Sequence, residues 1–158
     1  MQVYTTITKP FEHADCFQLN QVCEHLYITN VYTAQDTNQL KSHQIKHVVS
    51  LYPVNLPDFN QLYVSLYDSP NENIQQHFDT TYEFIDKHIS NNENVLVHCH
   101  AGRSRASTIV IYYLMKKHKV SFIKAYNYLK NIRPIMEPNY GFKLQLIDAE
   151  KRLSIQND

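Results

Sequence analysis

Val95-Leu96-Val97-His98-Cys99-His100-Ala101-Gly102-Arg103-Ser104-Arg105-Ala106 is the stretch on which the fold turns. Val95 to Val97 is an unbroken apolar run, the pattern of a strand covered on both faces. Ala106 to Lys117 reads as a buried helix, with Lys116 and Lys117 beside its negative C-terminal end. Cys99 to Arg105 is then a strand–loop–helix turn. In an open α/β sheet, such loops at the carboxyl ends of strands are where ligands bind. A tight turn there can aim several backbone N–H groups at one point, and the helix adds its positive N-terminal end. Gly102 is one of only 2 glycines in the chain and falls where a strained backbone angle is needed. The expected product is a cradle for a dianion such as phosphate.

The same field acts on Cys99. A free thiol ionises near ~8.5, and a helix N-terminus with cationic neighbours can lower that by several units, leaving a thiolate able to attack phosphorus. Arg105 can hold two equatorial phosphate oxygens through its planar fork, which Lys could meet only as a point charge. His100, Ala101, Gly102, Arg103, Ser104 and Arg105 make up the expected substrate-binding loop. His98 fits an ordering role through hydrogen bonding better than that of a base. Attack on a phosphate ester also needs an acid for the departing oxygen. Asp68 is the candidate, because it follows a strand parallel to that of the nucleophile; a turn-forming Asx residue is the competing reading of the same position.

Outward from this stretch, Leu26-Tyr27-Ile28-Thr29, Val48 to Tyr52 and Leu62 to Tyr67 look like further strands, with a polar helix around Asn38 to Gln44. Asp68 to Asn73 is a loop by composition. Ile74 to Ile89 suits a one-faced helix. Ser121 can cap a helix that Pro134 stops, and Asn139 can cap a last one. Strands alternating with helices imply an α/β fold: a central, mostly parallel sheet of four to five strands flanked by helices. Neither repeats nor long linkers interrupt 1–158, so one domain is expected, its core about 22–150.

The balance of 15 Lys+Arg against 15 Asp+Glu gives no overall pull towards nucleic acid or an anionic membrane. Ile109 to Met115 is far too short to span a bilayer, and Met1 to Thr6 has no signal or acylation pattern. Cys16, Cys23 and Cys99 are an odd set without metal-type spacing. A soluble cytoplasmic protein with reduced thiols is the expectation, with no membrane anchor and no nucleic acid partner. No oligomeric state is read from the chain. His43, His47, His77, His88 and His118 sit on polar stretches and are assigned no role.

His98-Cys99-x-x-Gly102-x-x-Arg105 resembles the motif of the protein tyrosine phosphatase superfamily, and its surroundings resemble the small, atypical dual-specificity branch. Leu26-Tyr27-Ile28, Asp68 followed by the Phe78/Phe84-Ile85 helix, and Arg133-Pro134-Ile135 through Pro138-Asn139-Tyr140-Gly141-Phe142 add to the match, which runs from about Val22 to Glu150. The resemblance implies Cys99 as nucleophile, Arg105 as phosphate binder, Asp68 as general acid and Asn139 as a brace for the loop. It implies a phosphocysteine intermediate, a phosphorylated protein as substrate (phosphotyrosine and phosphoserine/threonine), and neither metal nor cofactor. Phospholipid or RNA 5′-phosphate hydrolysis on the same fold, and slow-turnover phosphopeptide binding, are the alternatives. The chain departs from the family pattern at Ala106, where a Ser or Thr hydroxyl usually helps the thiolate leave, and at Thr29, where Gly is frequent. Ser107 lies roughly 100° further around the helix and is not expected to reach the sulfur.

Overall fold

The computed structural model describes residues 14–155; the reading of Met1 to Thr6 falls outside them. Five strands and six α-helices follow in the order β1 (Asn20–Cys23), β2 (Leu26–Thr29), α1 (Val31–Ala34), α2 (Thr37–Ser42), β3 (Ile45–Ser50), β4 (Asn60–Tyr63), α3 (Phe78–Ser90), β5 (Asn94–His98), α4 (Arg105–His118), α5 (Phe122–Ile132) and α6 (Tyr140–Arg152). The sheet order is β1-β2-β5-β3-β4. β5 lies in the middle, parallel to β2 and β3, and β4 runs parallel to β3; only β1 is antiparallel. A central parallel strand needs cover on both faces, and Val95, Leu96 and Val97 are each fully buried.

The two-residue period of the strands divides the core between two layers. Val95 and Val97 face a large cluster with Ile28, Val49, Ile85, Ile109, Val110 and Leu129, under the longer helices. Leu96, Val48 and Tyr27 face Ala34, Leu40 and Leu56 on the opposite side. α4 is buried along most of its length, from Ala106 to Met115. Ser121 and Asn139 cap α5 and α6, their side-chain oxygens accepting the N–H groups of Lys124 and Phe142.

Three local expectations need correction. The strand expected over Leu62 to Tyr67 pairs with β3 only as far as Tyr63, because β3 ends at Ser50; the Val64 N–H makes one last bond to the Ser50 carbonyl before the chain leaves the sheet. β1 begins at Asn20, ahead of the expected core boundary. And His47 and His88, assigned no role from their polar neighbours, are buried, their rings stacked at 3.5 Å.

Candidate active site

The loop between β5 and α4 is held from outside by its carbonyls. The His100 carbonyl accepts the Val31 N–H at 3.0 Å, and the Arg103 carbonyl accepts the Glu137 N–H at 2.8 Å. The Gly102 and Ala101 carbonyls accept Arg133 Nε and Nη2 at 2.7 and 3.4 Å. In a trans peptide the C=O of one residue and the N–H of the next point in opposite directions. Four outward carbonyls at 100–103 therefore turn the N–H groups of 101–104 towards the inside of the loop. The Gly102 N–H is seen doing this, donating to Cys99 Sγ at 3.2 Å. Gly102 has φ +63°, and a Cβ there would lie 2.5 Å from the Thr29 carbonyl oxygen and 2.6 Å from Arg133 Nη2. The position thus demands glycine on both conformational and steric grounds.

Arg133 is the brace that the sequence did not disclose. It stands at the end of α5, where Pro134 stops the helix, and is 1 % exposed. A guanidinium has five N–H donors, and here all find acceptors: besides Gly102 and Ala101, the Gln18 carbonyl (3.0 Å), Asn20 Oδ1 (2.7 Å) and the Cys16 carbonyl (2.7 Å). Burial lowers its pKa to about 10, against the opposing pull of Cys99 and Cys16, so it stays a cation at neutral pH beneath the loop. Arg-Pro after an amphipathic helix was legible as a stop signal; its buried role depends on residues more than a hundred positions away in the chain.

Arg105 reaches from the first turn of α4 across to the ends of β3 and β4. Its Nη1 donates to the Leu51 and Leu66 carbonyls at 3.2 and 3.0 Å. Its Nε is buried with no partner among the described residues. A buried orphan donor is costly, and this one sits beside an amide-lined loop, where an oxyanion can satisfy it. Cζ lies 5.7 Å from the Tyr52 ring centroid, and Tyr52 in turn packs on His100 at 4.9 Å. Tyr52 also was not singled out in the sequence, where it is read as the last residue of a strand; β3 ends at Ser50, which leaves Tyr52 beyond it on the ligand side of the sheet.

His98 is fully buried, with Nε2 2.7 Å from Ser50 Oγ and Nδ1 3.2 Å from the Cys99 carbonyl. A carbonyl only accepts, so Nδ1 carries the proton and the Ser50 hydroxyl donates to Nε2. Gln61 Nε2 donates to Ser50 Oγ at 2.8 Å, completing a chain from β4 to the Cys99 backbone. Burial, with a smaller contribution from the Arg105 charge, pushes the His98 pKa down to about 4, against its bond to the Cys99 carbonyl. It is a neutral positioning group.

Asp68 is exposed above the loop. Asn139 Nδ2 donates to its Oδ1 at 2.9 Å, while the Asn139 N–H donates to Ser104 Oγ at 2.9 Å. One residue therefore ties the Asp68 carboxyl to the loop between β5 and α4 and also caps α6. Cys99, Arg105, Asp68, His98 and Asn139 all converge here; Arg103 points outward and is exposed. Ala106 is fully buried, and the Ser107 hydroxyl is turned back to the carbonyls of Arg103 and Ser104.

The family description "Dual specificity phosphatase, catalytic domain" matches residues 26–152. The chain belongs to the dual specificity phosphatase family. Dual specificity protein phosphatase 1 of Arabidopsis thaliana is 38% identical over 136 residues, covering 84% of this chain and 69% of its own. Human dual specificity protein phosphatase 14 is 36% identical over 137 residues, again 84% and 69%. The crystal structure of human DUSP28 superposes with a TM-score of 0.82 at 28% identity, covering 86% of this chain and 95% of that one. This dual specificity phosphatase is thus a cysteine-based hydrolase and a protein phosphatase, and its relatives do not favour the lipid or RNA readings. Among the described residues no helix is long and apolar enough to cross a membrane.

Proposed function

We propose that this dual specificity phosphatase hydrolyses phosphotyrosine and phosphoserine/threonine in proteins through a phosphocysteine intermediate. Cys99 Sγ attacks phosphorus from the floor of the loop. The inward N–H groups and Arg105, through the unpartnered Nε, take the equatorial oxygens and stabilise the charge that develops in the transition state. Asp68 protonates the departing ester oxygen. The resulting carboxylate then takes a proton from water, which attacks the phosphocysteine and releases Cys99 and inorganic phosphate. Tyr52, beside Arg105, forms a wall on which the ring of phosphotyrosine can lie. His98 and Asn139 hold the loop and the acid in position and take no proton. The chain 1–158 acts as one catalytic domain, in the cytoplasm, on phosphorylated protein partners.

The observation that carries this reading is the outward turn of the carbonyls at 100–103, with the Gly102 N–H on Cys99 Sγ. Hydrolysis of para-nitrophenyl phosphate and of phosphotyrosine and phosphothreonine peptides tests it. Cys99→Ser is expected to abolish all three activities. Asp68→Asn is expected to lower kcat by about 10²–10⁴, the usual worth of a general acid. A Cys99→Ser protein as active as the wild type would end the mechanism.

A further inference from the structure

Away from the phosphate loop, His47 of β3, His88 of α3 and Glu93 in the turn before β5 form a compact polar cluster. His47 and His88 are 8 % and 7 % exposed, and one donor atom from each, with one from Glu93, all lie within 4.8 Å of one another. His47 Nε2 is 3.0 Å from Glu93 Oε2, and His88 Nδ1 is 3.4 Å from Glu93 Oε1. The rings are stacked at 3.5 Å, with Phe84 edge-on to both. On the opposite ring edges, Asn60 Nδ2 lies 2.9 Å from His47 Nδ1 and 3.2 Å from His88 Nε2.

We propose that His47, His88 and Glu93 bind a divalent cation of the zinc class. Two imidazoles and one carboxylate are a donor set suited to zinc, whereas calcium and magnesium take oxygen shells. Two donors of a tetrahedral ion with metal–nitrogen bonds of ~2.05 Å are roughly 3.3 Å apart. The nitrogen–oxygen contacts stand at 3.0 and 3.4 Å; because an imidazole donates in its own ring plane, the ion enters when the stacked rings swing apart until both planes meet at it and the carboxylate withdraws. Glu93 lines an open cavity with His25, Lys41, Lys46 and Asn94, which gives water access to the fourth position.

Asn60 serves both states. Without a cation, its NH₂ donates to both rings, and each ring donates its own proton to Glu93. With a cation, each imidazole moves its proton to the Asn60 side and the amide turns over, so that Oδ1 accepts both. No proton is released in this exchange, and the outer partner fixes both tautomers as metal-bound histidines require. The cation joins β3, α3 and the turn into β5 at the end of the sheet away from catalysis. Ser50, three residues along β3 from His47 and about 10 Å away by strand rise, holds His98.

The probe is Zn²⁺ alone, titrated calorimetrically into chelator-treated Cys99→Ser protein, since the wild-type Cys99 sulfur can itself take zinc. One ion per chain and a melting temperature that climbs with zinc concentration are expected. Glu93→Gln and His88→Gln in the same background are each expected to weaken binding at least about tenfold, as loss of even an outer partner commonly does. Absence of saturable binding, or equal affinity in both variants, overturns the proposal. Cu²⁺ electron paramagnetic resonance of the Cys99→Ser protein decides without reference to how the variants fold: coupling to two imidazole nitrogens supports the site, and one or none refutes it.

Discussion

In the proposed mechanism Ala106 occupies the place in the first turn of α4 where a hydroxyl could assist the departing thiolate, and Ser107 does not replace it, because its oxygen is committed to the Arg103 and Ser104 carbonyls. Release of phosphate from Cys99 is therefore expected to be slow. Rapid-quench experiments should find phosphocysteine accumulating, and Ala106→Ser should raise kcat roughly tenfold, the worth of about 1.4 kcal/mol from one charge-assisted hydrogen bond. No accumulation in the wild type would remove this assignment. Arg133 invites a different substitution. Arg133→Met keeps much of the bulk but strands the carbonyls of Cys16, Gln18 and Gly102, so a loss of at least about 3 kcal/mol is expected in urea unfolding. Arg133→Lys, with three donors for five acceptors, should lower kcat while leaving the chain folded.

The 68–73 segment, which carries the proposed acid Asp68, and α6 meet along a close seam. Gln145 Nε2 donates to the Glu72 carbonyl and its Oε1 accepts the Gln75 N–H, at 2.9 and 3.0 Å, while Asn139 holds Asp68. A Cβ at Gly141 would stand 2.0 Å from the Pro70 carbonyl oxygen, so the backbones are in contact. Gly141→Ala is expected to push the 68–73 segment away, costing about 1–3 kcal/mol as overpacking does. Its kinetic signature should be selective: kcat falls more for phosphoserine peptides, whose alkoxide needs a proton, than for para-nitrophenyl phosphate, while inhibition by inorganic phosphate is unchanged. Much of this arrangement was legible beforehand. The run Val95–Val97, the cap residues Ser121 and Asn139, and Gly102 each carry a local signal that tertiary packing reinforces. β1 carries almost none, since Val22 is its one fully buried residue and its pairing is with the next strand rather than with any pattern of its own. His47 was misjudged from its neighbours in sequence; on β3 its neighbour in space is Val49, two residues on and on the same face. His88 likewise shares a helix face with Phe84 and Ile85.

At the scale of the molecule, His98 makes the fold sensitive to acid. Its pKa in the fold is about 4, against 6.5 for a free histidine. The unfolded chain therefore binds the extra proton first as pH drops. The contribution is complete above about 6.5 and is lost as pH falls towards 4, at about 1.4 kcal/mol per pH unit and on the order of 3 kcal/mol in total. Urea unfolding between pH 7.5 and 4 should show this slope, and His98→Gln should flatten it. The binding of Arg133 to Cys16, Gln18, Ala101 and Gly102 has a further consequence, for the chain during its synthesis. On a translating ribosome the early segment, Cys99 and Arg133 emerge far apart in time, so a nascent polypeptide holding Cys99 but still lacking Arg133 has a sulfur without a seat. Phosphatase activity should consequently switch on late and abruptly as truncated nascent chains are lengthened, reporting completion of the fold rather than the arrival of its reactive residue.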